Sequence, residues 1–119
     1  MIVYIYSKCS TCQKAIRFLE KMKGTNTFTI KEITVTPPSI KELQAMLAFQ
    51  HGNVKKLFNT SGQLYRELHL NEKLINMPLD HALKLLSENG MLIKRPFLLG
   101  KNFGITGFNE AEWNSEIKS

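Results

Sequence analysis

Cysteine is scarce in this chain, and long apolar runs are missing. Its 119 residues include two cysteines, one tryptophan and four prolines. Cys9 and Cys12 are separated by two residues, so a bond between them would close too small a loop to restrain the unfolded chain. That argues against a structural staple. In a reducing compartment such a pair serves catalysis, redox sensing or metal binding. No segment approaches the roughly 20 apolar residues of a bilayer-spanning helix. The apolar start Met1-Ile2-Val3-Tyr4-Ile5-Tyr6 lacks the basic region of a secretory signal. A soluble, cytoplasmic protein with no membrane partner is expected. Blocks of like charge are absent too: the formal charge is +6, but the lysines are scattered. That pattern describes a solvated basic surface, and no direct contact with nucleic acid is expected.

A hydrophobic content of 43% can bury one continuous core, and a single domain over residues 1–119 is expected. Ile2 to Tyr6, β-branched and aromatic, reads as a short strand buried on both faces. Ser10 and Gln13 stand at capping-box spacing, with Ala15, Phe18, Leu19 and Met22 following at helical period and Gly24 as the stop. Thr27 to Val35 is a second extended run in which Phe28 and Ile30 alternate with polar neighbours. Pro37-Pro38 breaks it, and Ser39-Ile40-Lys41-Glu42 is a second capping box ahead of Leu43, Met46 and Leu47. Helices fill an insert over about residues 39–89. The last begins near Pro78, carries Leu79, Ala82, Leu83 and Leu86, and ends at Asn89-Gly90, where glycine permits a left-handed terminus. Strand signals return at Met91-Leu92-Ile93 and Phe97-Leu98-Leu99, with a Gly100-Lys101-Asn102 turn and Phe103 to Thr106 as hairpin partner. A final helix from Asn109 turns Trp113 and Ile117 inward. The order β-α-β, helical insert, β-β-α predicts an α/β protein of thioredoxin-like fold with a mixed four-stranded sheet.

The cysteine pair lies where the first strand feeds the first helix. Unpaired N–H groups at a helix start stabilise an anion, and Lys8 and Lys14 add positive charge nearby. Cys9 is therefore the expected thiolate nucleophile, and Cys12, one turn into the helix, the resolving thiol. Two other readings compete: a pair of packed core cysteines, and a zinc site. The zinc site would need about four ligands. His51, His69 and His81 lack the spacing to complete one, so no metal is expected. Lys94-Arg95-Pro96-Phe97 is the second informative segment. Thioredoxin-like folds place a cis-proline opposite the reactive cysteine. A cis bond before Pro96 would present Arg95 beside Cys9, where its guanidinium could hold a thiolate or an oxyanion. The competing reading of Arg95 is an ordinary surface arginine before a strand.

With Ile5-Tyr6-Ser7-Lys8-Cys9-Ser10-Thr11-Cys12-Gln13-Lys14-Ala15, Lys56-Leu57-Phe58-Asn59-Thr60-Ser61-Gly62, Gly90-Met91-Leu92-Ile93-Lys94-Arg95-Pro96 and Gly107-Phe108-Asn109 in this order, the chain resembles the ArsC/Spx family. That family comprises arsenate-reductase-like proteins and the Spx transcription regulators. The resemblance to arsenate reductases implies a nucleophilic cysteine at Cys9 and three oxyanion-holding arginines, of which Arg95 matches one. Asn59 and the segment Thr106-Gly107-Phe108 fall at the other two positions, so weak arsenate reduction is expected. The resemblance to Spx implies a Cys9/Cys12 redox switch. It also implies, at Gly52, a contact with the C-terminal domain of the RNA polymerase α subunit, although His51-Gly52-Asn53 equally reads as a turn. Two functions follow. One is a thiol/disulfide oxidoreductase with no bound cofactor, drawing electrons from a small thiol, from glutathione with glutaredoxin, or from thioredoxin. The alternative is a redox-sensing regulator bound to RNA polymerase. The first is preferred, because the cysteine loop is read directly from the residues.

Overall fold

The computed structural model describes residues 1–23 and 27–118. Strand β1 (Ile2–Ile5) runs into helix α1 (Ser10–Lys23), and strand β2 (Thr29–Glu32) follows. Helices α2 (Ile40–Phe49), α3 (Gln63–Glu67), α4 (Leu70–Lys73) and α5 (Leu79–Glu88) come next, then the hairpin β3 (Phe97–Leu99) and β4 (Gly104–Thr106), and finally α6 (Glu110–Lys118). The sheet order is β2-β1-β3-β4. β1 and β2 pair in parallel with Val3 opposite Ile30, while β1–β3 and β3–β4 are antiparallel with Tyr4 opposite Phe97 and Leu98 opposite Ile105. This is the mixed four-stranded sheet of a thioredoxin-like fold.

Adjacent strand residues point to opposite faces, and both faces of β1 are covered. Val3 packs with Ala15, Leu19, Leu98, Ile105, Trp113 and Ile117, which places α1 and α6 on one side of the sheet. Tyr4 and Phe97 pack on the other side against Leu43, Met46, Leu83 and Leu86 of α2 and α5. The Ser39–Glu42 capping box is fully formed: Glu42 N–H donates to Ser39 Oγ at 3.1 Å, and Ser39 N–H donates to Glu42 Oε1 at 3.0 Å. The same carboxylate oxygen accepts from Tyr4 Oη at 2.7 Å, tying the start of α2 to the sheet. Asn109 Oδ1 caps α6 by accepting from Glu112 N–H at 2.9 Å. None of the described helices is long and apolar enough to cross a membrane.

The structure departs from the sequence expectations at several points. Met91-Leu92-Ile93 is not a strand: Gly90–Leu92 forms a 3-10 turn, and Ile93 makes only an isolated bridge to Phe58. Short apolar runs carry no periodicity that separates a strand from other buried segments. Gly90 has no left-handed backbone. Its role is close approach, because a Cβ there would lie 2.0 Å from the Ile33 carbonyl oxygen. The extended run from Thr27 is shorter than expected, since the Val35 and Thr36 N–H groups fold back to Glu32 O. Ile30, on this edge strand, is exposed, as is Leu79 at the start of α5. The expected stop at Gly24 lies outside the described residues.

Candidate functional site

The loop from β1 to α1 brings the cysteines to one end of the sheet. Ser10 and Gln13 do not form the expected cap; α1 already includes Ser10, and Gln13 N–H donates to Cys9 O at 3.1 Å. Cys9 thus takes the capping position itself, with its sulfur where a cap side chain accepts from the next N–H groups. The Gln13 side-chain amide instead donates to Ser7 O at 2.9 Å. Ser7 N–H is shared between the two Glu32 carboxylate oxygens, each at 3.1 Å, and Cys9 N–H closes a turn on Tyr6 O at 2.9 Å. Glu32 and Gln13 hold the cysteine loop from two sides. Neither was identified as a site residue from sequence; Gln13 stood at cap spacing, and Glu32 gives no local signal because its partner is 25 residues away.

Cys9 and Cys12 are both free thiols, Cys9 half-buried and Cys12 fully buried. Partial burial pushes the Cys9 thiol up, but hydrogen bonds from the Cys12 backbone N–H, the Cys12 thiol and the Thr11 N–H, with the charge of Arg95, bring it below the ordinary value. Cys12 moves the other way. Burial pushes it up to about 12, helped by the Cys9 sulfur whose charge it faces, and a backbone hydrogen bond from Tyr6 and the Arg95 charge offset only part of this. Of the two, Cys9 therefore ionises first, and its sulfur then accepts a hydrogen bond from a neutral Cys12. The groups that lower Cys9 are backbone dipoles, Cys12 and Arg95; Lys8 and Lys14 are exposed on the flanking turn and helix.

The Arg95–Pro96 peptide bond is cis. Pro96 O accepts from Gly107 N–H at 2.8 Å, joining this turn to the end of β4. The Arg95 guanidinium lies over the Tyr6 ring at 5.0 Å from its centroid, and Nη1 donates to Met91 O at 3.4 Å. Its Nε is buried and has no hydrogen-bond partner. The structure thus gathers Cys9, Cys12, Arg95 and Pro96 at one place and adds Tyr6, which sequence reasoning missed. Arg95 also lines two clefts. One, of about 410 Å³, is lined by Asn59, Gln63, Glu67, Met91 and Arg95. The other, of about 400 Å³, is lined by Thr11, Lys94, Arg95, Thr106, Asn109 and Glu112. Gly52 belongs to a different region, the turn after α2, where it is exposed with φ +80° and its N–H donates to Leu47 O at 2.9 Å. His51 and His69 also sit in left-handed turns. Among the described residues no group of three or more His, Cys, Asp and Glu is placed to hold a metal ion.

The sequence model of the ArsC family matches residues 4–115, an interval containing the cysteine loop, the helices between and the Arg95–Pro96 turn. The chain belongs to the ArsC family. It is similar to the uncharacterized protein YusI of Bacillus subtilis, 45% identical over 92% of each chain. It is also similar to the global transcriptional regulator Spx of Enterococcus faecalis, 28% identical over 94% of this chain and 82% of that one. In structure it is similar to an ArsC family related protein from Bacteroides fragilis, with a TM-score of 0.87 and 38% identity over 96% of this chain and 94% of that one. Within this ArsC-family chain, the two positions where the resemblance to arsenate reductases calls for further arginines both line clefts beside Arg95. They hold Asn59 in one cleft and Thr106-Gly107-Phe108 in the other.

Proposed function

We propose that this protein is a thiol/disulfide oxidoreductase of arsenate-reductase type in which Cys9 attacks and Cys12 resolves. The carrying observation is the asymmetry of the pair: a half-buried thiol at a helix cap, lowered by its neighbours, against a fully buried neutral one. In the first half-reaction the Cys9 thiolate attacks one sulfur of a substrate disulfide. The substrate S–S bond breaks, a mixed disulfide forms on Cys9, and the departing thiolate takes a proton from water. That step also removes the Cys9 charge, which is one of the causes that push Cys12 up. Cys12 then ionises more readily, attacks Cys9 Sγ and releases the second substrate thiol. The substrate gains two electrons and the protein is left as the Cys9–Cys12 disulfide. A small thiol, glutathione with glutaredoxin, or a thioredoxin-type dithiol returns those electrons, and no bound cofactor takes part.

Arsenate is a poor fit. A dianion gains most from several charge-assisted donors, and Arg95 has Asn59 and Thr106 as companions in place of arginines. The decisive experiment measures release of free thiol from a glutathione mixed disulfide by the reduced protein, with Cys9→Ser and Cys12→Ser variants in parallel. Turnover that vanishes in Cys9→Ser and stalls as a trapped mixed disulfide in Cys12→Ser supports the reading; an unreactive wild type sinks it. A second reading, redox-dependent binding to the C-terminal domain of the RNA polymerase α subunit, is favoured by Gly52, which is exposed with no atom within 4 Å of where its Cβ would be. Binding of that domain by one redox form alone, lost in Gly52→Arg, would support it.

A further inference from the structure

The two clefts that share Arg95 are too large and too nearly neutral for a small oxyanion. Together they carry two cations, Lys94 and Arg95, and two carboxylates, Glu67 and Glu112. Asn59, Gln63, Thr11, Thr106 and Asn109 supply side chains that both donate and accept. An oxyanion only accepts, and neighbouring carboxylates repel it. A polypeptide backbone both donates and accepts, carries no net charge, and is long enough to occupy two clefts at once. Each cleft lies within the 300–1,000 Å³ range of ligand sites, at about 410 and 400 Å³. Thr11, whose N–H faces the Cys9 sulfur, lines one of them. Arg95, whose charge acts on the same sulfur, lines both.

We infer that the substrate of this site is an extended peptide segment carrying an oxidised cysteine, seated in the two clefts with its sulfur at Arg95 and a basic flanking residue read by Glu67. This deepens the thiol/disulfide reading and rests on it. Glu67 selects because it is exposed where it lines its cleft, its Oε1 accepting from the Gln63 side-chain amide at 2.8 Å, which leaves Oε2 to face a cation. Arg95, half-buried and lining both clefts, sets its charge beside the Cys9 sulfur at which the exchange takes place. The reaction is the balanced exchange already described. The peptide S–S bond breaks, Cys9 and then Cys12 carry the new bonds, two thiols are released, and an external dithiol restores the pair.

The test uses the full chain and three glutathione mixed disulfides: N-acetylcysteine amide, an extended peptide with lysine beside its single cysteine, and the same peptide with glutamate there. Both flanks are tried. The lysine peptide should exceed the small substrate in kcat/KM by tenfold or more, and should exceed the glutamate peptide by threefold or more on one flank. Glu67→Lys should invert that flank preference, a result that a general loss of folding cannot produce. Equal kcat/KM for the peptide and the small substrate would overturn the peptide inference and leave the dithiol reading standing. A lysine preference unchanged in Glu67→Lys would remove Glu67 as the selecting group and overturn the inference as stated. Failure to attack any of the three disulfides would overturn both.

Discussion

Changing pH should pull the two cysteines in opposite directions, and the stability of the fold should record it. Cys12 is fully buried, and its thiol is pushed up from an ordinary 9.0 to about 12. Above pH 9 the unfolded chain gives up that proton while the native chain keeps it, so the unfolded state binds fewer protons and stability falls as pH rises. At pH 11 the difference amounts to roughly 2–3 kcal/mol, taking about 1.36 kcal/mol for each pH unit between the two titrations. Cys9 has the opposite sign. Its folded value lies below the ordinary one, so its contribution is full above the unfolded value and is lost as pH falls through the folded one. Urea denaturation of the reduced protein between pH 7 and 11 is the assay, run beside Cys12→Ala. Alkaline groups other than Cys9, which loses its hydrogen bond from the Cys12 thiol in the variant, contribute to both proteins alike. The substitution removes a buried sulfur at a cost that does not vary with pH, so the wild type should lose its advantage over Cys12→Ala by roughly 2–3 kcal/mol between pH 9 and 11. Parallel profiles over that interval would refute a neutral buried Cys12, and with it the division of labour between the two thiols.

Brief iodoacetamide treatment at pH 7 followed by mass mapping should find Cys9 alkylated before Cys12, because only Cys9 is both partly exposed and lowered; labelling of Cys12 first would reverse their roles. Arg95→Ala should move the pH profile of Cys9 alkylation to the alkaline side, and Arg95→Lys should move it less, since the charge is one of the causes that hold Cys9 low; an unmoved midpoint removes Arg95 from the site. Arsenate turnover with glutathione and glutaredoxin, or with thioredoxin, should stay below about 1 per second, and a faster rate would mean that other groups replace the absent arginines. Ser39→Ala should cost about 1 kcal/mol in denaturant unfolding by removing the cap of α2, whereas no loss would show that Glu42 holds the helix start through Tyr4 alone.

Much of the fold was legible because local rules and tertiary packing agree in it. Ser39 and Glu42 form the box their spacing announces, and Ala15, Leu19, Trp113 and Ile117 meet one face of the sheet as their periods require. What escaped was set by contacts distant in sequence. Gly90 follows a helix and reads as its terminus, yet its lack of a side chain serves the Ile33 backbone, which comes from the far side of the helical insert. Met91-Leu92-Ile93 has strand composition but closes a 3-10 turn before the hairpin. At the site, the cysteines and Arg95-Pro96 announced themselves. Tyr6 beneath the guanidinium, Glu32 on the Ser7 N–H and Glu67 across a cleft are ordinary residues in sequence and acquire a role only through the strand order and the placement of α3.

Val3 and Tyr4 are neighbours in β1 that bury into different cores, one beneath α1 and α6 and the other beneath α2 and α5. The sheet therefore acts as a firewall between two packing problems that can be solved separately. Substitutions among the helices between residues 40 and 88 can reshape the wall opposite Arg95 without repacking the partners of Val3, Ala15 and Leu19 that carry the thiol-bearing helix. On the proposed thiol/disulfide reading, a lineage built this way can exchange one client for another while its thiol-bearing end keeps its packing at every step.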